Sequence, residues 1–256
     1  GSEVTSFAVV NDTAAHVKYP LISESLTADE AILDAELVKS VPPAITADTG
    51  MDVFTHALES YVSTAHNEFS SALAEKAIEI CGVFLLRAYL DGSDTHARQK
   101  MHSASCLAGL AFNSASLGLN HGMAHQLGAT FHIPHGRANA MLLPHIIEFN
   151  SDINKHSKSQ AKYLPAVERY KTVARILGLS SYNTIMTVRN LVNWVQFMLK
   201  EMDIPLSVSQ MGKISKEEYF AEIERMAEAA LADGCTATNP RVPSKADVMK
   251  IYESLW

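Results

Sequence analysis

Apolar residues recur three and four positions apart from about residue 46 to the carboxyl end, which is the spacing of one face of an α-helix. The stretch TADTGMDVFTHALESYV follows this spacing, and QKMHSASCLAGLAFNSASLGL also has the Ala, Ser and Gly content of a tightly packed buried helix. Asn150 to Tyr163 is polar and predicts a loop. Further helices are predicted at SSALAEKAIEICGVFLLRAYL, HGMAHQLGATF, ANAMLLPHIIEFN, AVERYKTVARILGL, YNTIMTVRNLVNWVQFMLKEM, SKEEYFAEIERMAEAALAD and SKADVMKIYESLW.

The first 45 residues have a different pattern. Val4 to Val10 is rich in β-branched and aromatic residues, as strands are, and it ends at Asn11-Asp12, a pair typical of turns. His16 to Ile22 and Ala31 to Leu33 predict further short extended segments. The chain is therefore predicted to be mainly α, with strands confined to its first 45 or so residues.

Composition and charge exclude several classes of protein. The 256 residues are 47% hydrophobic and 19% charged, which is ordinary for a globular protein. A net charge of −7 and the lack of any Lys/Arg run argue against a nucleic-acid partner. No apolar run reaches the roughly 18 residues of a membrane span, and no signal peptide opens the chain. Three widely spaced cysteines, Cys81, Cys106 and Cys235, suggest free thiols in a reducing compartment, so a cytoplasmic location is expected.

Two pairs of side chains have the spacing of metal ligands on helices. His121 and His125 are four residues apart, as are Asp52 and His56, so each pair shares one helix face. His135, between Pro134 and Gly136, is expected at a turn or helix start from which its ring can reach the same centre. One carboxylate with two or three imidazoles suits Fe(II) or Zn(II) better than Ca(II) or Mg(II). An isolated pair of this kind also occurs by chance, and the coincidence of two pairs favours a metal site.

Two long motifs carry a resemblance to a known family. TADTGMDVFTHALESYV and GLNHGMAHQLGATFHIPHGRANAMLLPH resemble the signature of the iron-containing (group III) alcohol dehydrogenases. The resemblance extends over essentially the whole chain. It is closest to the alcohol dehydrogenase part of bifunctional aldehyde–alcohol dehydrogenases and to propanol- or ethanol-utilisation relatives. It implies a multi-helix metal-binding domain of the dehydroquinate-synthase-like fold.

The same resemblance implies a domain organisation. Members of this family have a Rossmann-like dinucleotide-binding domain, which needs on the order of 100 to 150 residues, before the helical metal domain. No phosphate-binding glycine loop is found in this sequence. Residues 1–45 are therefore expected to be the last part of a missing dinucleotide-binding domain, and residues 46–256 the metal- and substrate-binding domain. The 256 residues alone are expected not to turn over alcohol and to self-associate through an apolar edge.

The family's site residues map onto this chain by matching type. The resemblance implies that Asp52, His56, His121 and His135 are the metal ligands. It implies that His125 lies near the metal and substrate without binding the ion, and we expect it to be the catalytic residue that relays a proton. His132 is left unassigned.

The resemblance also implies contacts with a nucleotide. Thr5 and Lys18 match family positions that contact it, and Phe7 and Val41 are weaker candidates near the nicotinamide. For Thr5 and Phe7, simple packing of a strand is an equal alternative. Cys235 either lines the substrate end or is a small buried hydrophobic residue.

The function implied is that of a metal-dependent alcohol dehydrogenase or aldehyde reductase. It would transfer a hydride between NAD(H), with NADP(H) as the alternative, and a short-chain primary alcohol or aldehyde. Fe(2+) is the expected ion, with Zn(2+) as the alternative. A homo-oligomer, dimer or higher, is expected in the cytoplasm or in a bacterial microcompartment. Two other classes remain open: a non-enzymatic metal-binding module, and a helical metal-dependent hydrolase, whose usual adjacent His-Asp dipeptide does not occur here.

Overall fold

The structure is a computed structural model that describes residues 1–12, 17–153 and 165–256. In this part of the chain, helices dominate from Pro43 onward and the two strands both lie before residue 23, as the sequence pattern predicted. The strands are β1 (Phe7–Asp12) and β2 (Val17–Ile22). The helices are α1 (Ala35–Val38), α2 (Pro43–Val62), α3 (Glu68–Leu90), α4 (Thr95–Ala115), α5 (Leu119–Phe131), α6 (His135–Ser151), α7 (Pro165–Ile176), α8 (Thr184–Glu201), α9 (Lys216–Ala232) and α10 (Lys245–Ser254).

The two strands pair antiparallel, with Phe7 opposite Ile22. Two details of the predicted lead-in were wrong. The strand begins at Phe7 because Ser2–Val4 forms a short 3₁₀ turn, and Asn11-Asp12 belongs to β1 instead of a turn.

Ala31–Leu33, predicted as extended, forms no strand. Gln99 of α4 explains this difference. Its side-chain amide donates to the carbonyl of Leu33 at 3.1 Å, and its side-chain oxygen accepts the Ala35 N–H at 3.1 Å. These backbone groups are therefore tied to a helix instead of a neighbouring strand. Most of the predicted loop at Asn150–Tyr163 lies outside the described residues, and its first two residues belong to α6.

Helix α2 lies at the centre of the molecule. Pro43 occupies its first turn, where a missing N–H costs nothing. Met51 and Phe54 are completely buried, and Gly50 lets α3 approach, since a Cβ there would lie 2.1 Å from the Leu85 side chain. A helix that is buried on nearly all sides can hold polar side chains only where partners satisfy them. The polar face of α2 is therefore where the fold can hold reactive side chains.

Helices α5 and α6 both pack near this polar face. The backbone of α6 comes very close to α2 at Gly136, where a Cβ would lie 2.2 Å from the carbonyl oxygen of Asp48. The neighbouring Arg137 donates two hydrogen bonds to the Asp48 carboxylate, both at 3.1 Å. His132, left unassigned above, is exposed and ends α5 in a left-handed conformation with φ 55°. Among the described helices, none has the length and apolar character needed to cross a bilayer.

Candidate metal centre

Four side chains from three helices converge on one point. Asp52 and His56 come from α2, His121 from the first turn of α5, and His135 is the first residue of α6. One ligand atom from each lies within 4.8 Å of every other. The Asp52–His56 pair, His121 and His135 are therefore brought together, whereas His125, the other member of the His121 pair, lies outside this group of four.

The separations within this group suit a small divalent cation. The nearest Asp52 oxygen lies 3.5 Å from His121 Nε2, 3.6 Å from His135 Nε2 and 4.0 Å from His56 Nε2. Ligand atoms bound at about 2.1 Å in a tetrahedral site are about 3.4 Å apart. Three nitrogens and a carboxylate oxygen are also the donor set that Fe(II) and Zn(II) accept. The residues present therefore fit the expected metal.

Electrostatics prepare these groups for a cation. Burial acts to raise the pKa of Asp52, but attraction to the histidines around it outweighs burial and holds that pKa far below its ordinary value. Burial lowers the pKa of His56 to about 3, against the opposing attraction of Asp52, so its ring is neutral at pH 7 and has a free lone pair. Burial opposes protonation of His121 as well, but attraction to the Glu59 and Asp52 carboxylates outweighs burial and raises the pKa of its ring. The same two carboxylates would attract a cation that takes the place of the ring proton.

Asn139 of α6 places an amide beside the four candidate ligands. Its Nδ2 lies 2.7 Å from Asp52 Oδ1 and 3.1 Å from the Nε2 atoms of both His121 and His135. The amide has only two hydrogens for these three acceptors. A cation that takes the two imidazole lone pairs would leave the amide to hold Asp52 Oδ1. Asn120 fixes this amide by donating to Asn139 Oδ1 at 2.9 Å.

The prediction from sequence did not include Asn139 or Glu59. Glu59 is buried on α2, seven residues after Asp52 and three after His56, so it extends the same helix face. Its carboxylate contacts Nδ1 of His121. This spacing is visible in the sequence, so Glu59 could have been predicted to lie on the same helix face as the two candidate ligands.

His125 lies one turn after His121 on α5, at the edge of the site. Its ring stacks on that of His135, with centroids 5.5 Å apart and planes 15° from parallel. Its Nδ1 lies 2.8 Å from Asp233 Oδ2, and about 40% of the side chain is exposed. This position is close to the four candidate ligands but open to solvent, as a proton relay requires. Asp233 was not foreseen from the sequence.

Cys235 lies in the segment after Asp233. Its sulfur, a carboxylate oxygen of Asp233 and a ring nitrogen of His125 all lie within 4.8 Å of one another. Its thiol is partly buried, and burial together with the Asp233 charge raises its pKa far above the ordinary value. The thiol therefore stays protonated and uncharged. A partly buried, uncharged thiol agrees with the alternative of a small hydrophobic residue, and a role at the substrate end stays a prediction.

A cavity of about 590 Å³ opens beside the candidate ligands. Asp52, His56 and His135 form part of its wall, and the predicted nucleotide contacts Thr5, Phe7 and Val41 also line it.

Three of the four predicted nucleotide contacts have described surroundings. The carbonyl oxygen of Val41 accepts a hydrogen bond from the Arg98 guanidinium at 2.9 Å. Phe112 connects Phe7 to the candidate ligands, since its ring lies 6.2 Å from Phe7 and 4.6 Å from the ring of His56. Thr5 is buried, which agrees with the packing alternative as well as with contact. Lys18 lies in β2 opposite Asn11, and its side chain lies outside the part of the chain that the structure describes.

Comparisons with known proteins point to one family. Residues 46–256 match the model of the Fe-containing alcohol dehydrogenase family, C-terminal part. The whole chain is 41% identical to the NADPH-dependent butanol dehydrogenase of Clostridium saccharobutylicum, of which it covers 62%, and 44% identical to the 1-propanol dehydrogenase of Citrobacter freundii, of which it covers 66%. An alcohol dehydrogenase from Oenococcus oeni, with a known structure, is 34% identical and superposes with a TM-score of 0.89 over all of this chain and 63% of its own. The chain thus spans just under two thirds of the length of these relatives.

Proposed function

The chain belongs to the Fe-containing alcohol dehydrogenase family, and from that premise we propose that the full-length protein interconverts short-chain primary alcohols and aldehydes with a nicotinamide cofactor. The observation that carries the proposal is a single cavity. It joins three of the four candidate metal ligands to three residues at predicted nucleotide positions, so the metal site and a nicotinamide would lie beside one another there. Two relatives are named butanol dehydrogenase and 1-propanol dehydrogenase, which supports a short-chain primary alcohol as the substrate.

We propose that Asp52, His56, His121 and His135 hold the ion, which is iron, with zinc as the alternative. When bound, the metal supplies Lewis acidity at the substrate oxygen, and the nicotinamide supplies or accepts the hydride. The protein's own part is to hold these groups in place and to exclude water between them. Phe112, stacked on His56, provides an apolar wall beside the candidate ligands.

His125 is proposed to move the proton that accompanies hydride transfer. Asp233 accepts the Nδ1–H, which leaves Nε2 as the nitrogen that takes up a proton from the alcohol side or returns one to it. Its partial exposure gives that proton a route to solvent. Asp233 thus acts on the reaction through the tautomer and orientation of His125.

We further propose that residues 1–45 form one side of a dinucleotide-binding part and residues 46–256 the metal-binding part. Large apolar side chains are exposed in the first of these segments, including Phe7, Ile22 and Ile32. Contact with further protein, either a preceding domain or a second copy in a homo-oligomer, would cover them. Three free cysteines support a reducing location such as the cytoplasm.

The test compares the full-length protein with and without its metal. The protein would be purified without oxygen and analysed for metal content. Absorbance at 340 nm would be followed with propionaldehyde or butyraldehyde and either NADH or NADPH. Aldehyde-dependent oxidation of one cofactor that disappears with the metal supports the proposal. Metal binding without any such oxidation would instead favour the non-enzymatic module, and hydrolysis of phosphate esters would favour the hydrolase.

Variants of two histidines separate the proton relay from metal binding. His125→Ala should lower turnover by about 100-fold or more, the usual contribution of general acid–base catalysis, while the metal content stays near that of the wild type. His66→Ala is the matched control, since His66 is an exposed histidine in the connection between α2 and α3. Loss of metal in the His125 variant would make it a ligand and reverse its role with that of another histidine.

A further inference from the structure

Glu59 is a buried carboxylate beside the candidate metal ligands, and the proposed reaction gives it no role. It lies on the α2 face that also presents Asp52 and His56, but deeper in the molecule, with only 4% of its surface exposed. One oxygen, Oε2, contacts Nδ1 of His121, and the other, Oε1, accepts the backbone N–H of Asn120 at 2.8 Å. Both oxygens of this buried group are therefore used by α5.

The backbone around Glu59 makes room for this arrangement. Gly118 precedes α5, and a Cβ there would lie 2.7 Å from Glu59 Oε1, which no side chain could tolerate without displacing the carboxylate. Gly118 also gives α5 no capping side chain. Glu59 supplies the missing cap from α2, because its negative charge accepts an N–H that the first turn of a helix leaves unpaired. This second anchor keeps the carboxylate in place beside His121.

We infer that Glu59 is a positioning residue that fixes the ring of His121 for metal binding; this inference rests on the proposed function. Glu59 accepts the Nδ1–H of His121, so Nε2 is the nitrogen that the ring would offer to a cation. That Nε2 is the atom which faces Asp52, at 3.5 Å, and Asn139. Histidine ligands in metal sites commonly donate their other N–H to a carboxylate, which fixes the ring and raises the basicity of the bound nitrogen.

The arrangement also sets the charge of the site. Glu59 and Asp52 each contribute one negative charge, one beyond each ring nitrogen of His121. A divalent cation at Nε2 therefore makes the buried group of two carboxylates and neutral imidazoles electrically neutral. Without Glu59 the same site would keep one positive charge. Glu59 thus favours a dication through its charge as well as through the orientation of His121.

The test measures metal binding by the full-length protein, prepared metal-free and titrated with Co(II) against a competing chelator. Loss of such supporting contacts typically weakens metal affinity by about 10- to 100-fold. Glu59→Gln keeps the volume and one acceptor oxygen, so we expect a loss near 10-fold; Glu59→Ala removes both and should approach 100-fold. Glu79→Gln, an exposed glutamate of α3, is the control and should bind Co(II) like the wild type.

Two further readouts separate positioning from a purely structural role. The visible spectrum of bound Co(II) reports ligand geometry, and we expect it to change in both Glu59 variants. Thermal unfolding of the metal-free proteins reports what Glu59 contributes to stability without the metal, through the Asn120 cap and the His121 contact. Unchanged Co(II) affinity and spectrum in both variants would overturn the inference, even if metal-free stability fell. Should Glu59→Ala not fold, the isosteric Glu59→Gln decides. A wild type that binds no Co(II) would instead contradict the proposed function.

Discussion

The close approach of α6 to α2 at Gly136 allows a sharp test of how the fold positions the candidate ligands. In Gly136→Ala the new methyl would lie 2.2 Å from the carbonyl oxygen of Asp48 and 2.6 Å from its carbonyl carbon. Both are backbone atoms of a buried helix, so they cannot rotate away. The two helices must separate by roughly 1 Å before the contact reaches van der Waals distance.

This separation has two consequences. Overpacking of a buried contact costs about 1–3 kcal/mol, so the free energy of unfolding should fall by that amount. His135 directly precedes Gly136, so a shift of α6 moves it away from ligands on α2 and α5. Metal–ligand bonds tolerate changes of only about 0.2 Å. We therefore expect Co(II) affinity to fall on the order of 100-fold. This is the upper end of the loss seen when a contact that supports a metal ligand is removed.

Gly128→Ala is the matched control. Gly128 is also helical, but the nearest atom to its added Cβ is the Ile133 carbonyl oxygen at 3.5 Å, an ordinary contact. That variant should be stabilised by about 0.4–1 kcal/mol, because alanine restricts the unfolded chain. Urea unfolding followed by circular dichroism and Co(II) titration would be run on both variants. Wild-type stability and metal affinity in Gly136→Ala would refute the argument that this contact sets the position of His135.

Three other predictions follow from the same geometry. His56→Ala should remove most bound metal and activity together; wild-type metal stoichiometry would contradict the proposed ligand set. Asp233→Asn should lower turnover by less than the ~100-fold loss expected for His125→Ala, without loss of metal, since it acts through that ring; unchanged turnover would leave Asp233 with no role. Burial raises the pKa of the Cys81 thiol to about 12, so only about one molecule in 10,000 carries the thiolate at pH 8. Iodoacetamide should therefore modify the partly exposed Cys106 first, and Cys81 only after unfolding, as mass spectrometry would show.

The helices and the Asp52–His56 pair could be predicted because both depend on local spacing, whereas the full set of four candidate ligands was implied by the family resemblance. Four-residue separation places Asp52 with His56 on one helix face whatever surrounds the helix. Long apolar periodicity likewise survives any particular packing, so each predicted helix was found with small shifts at its ends. The short helix α1 (Ala35–Val38) was missed, because four residues are too few to show a period.

The supporting contacts could not be predicted because their partners are far apart in sequence. Asp233 meets His125 across 108 residues, and Asn139 reaches Asp52 across 87. Such pairs depend on how α2, α5, α6 and the segment after α9 pack, which periodicity does not specify. The prediction of an extended segment at Ala31–Leu33 was wrong for the same reason, because the side chain of a single glutamine from α4 hydrogen-bonds to backbone groups at the end of this segment.

The start of α5 shows how closely the candidate site depends on the complete fold. The first two amides of this helix bind distant side chains: the Leu119 N–H donates to Asn239 Oδ1 at 3.1 Å and the Asn120 N–H to Glu59 Oε1 at 2.8 Å. A local cap would let α5 begin independently, but here its first turn is satisfied only when the partner segments are in place. His121 belongs to that turn, so the position of its ring depends on the packing of α5 against Glu59 and Asn239. A cation bound there would therefore stabilise the packed arrangement of α2, α5 and α6, and not one helix alone.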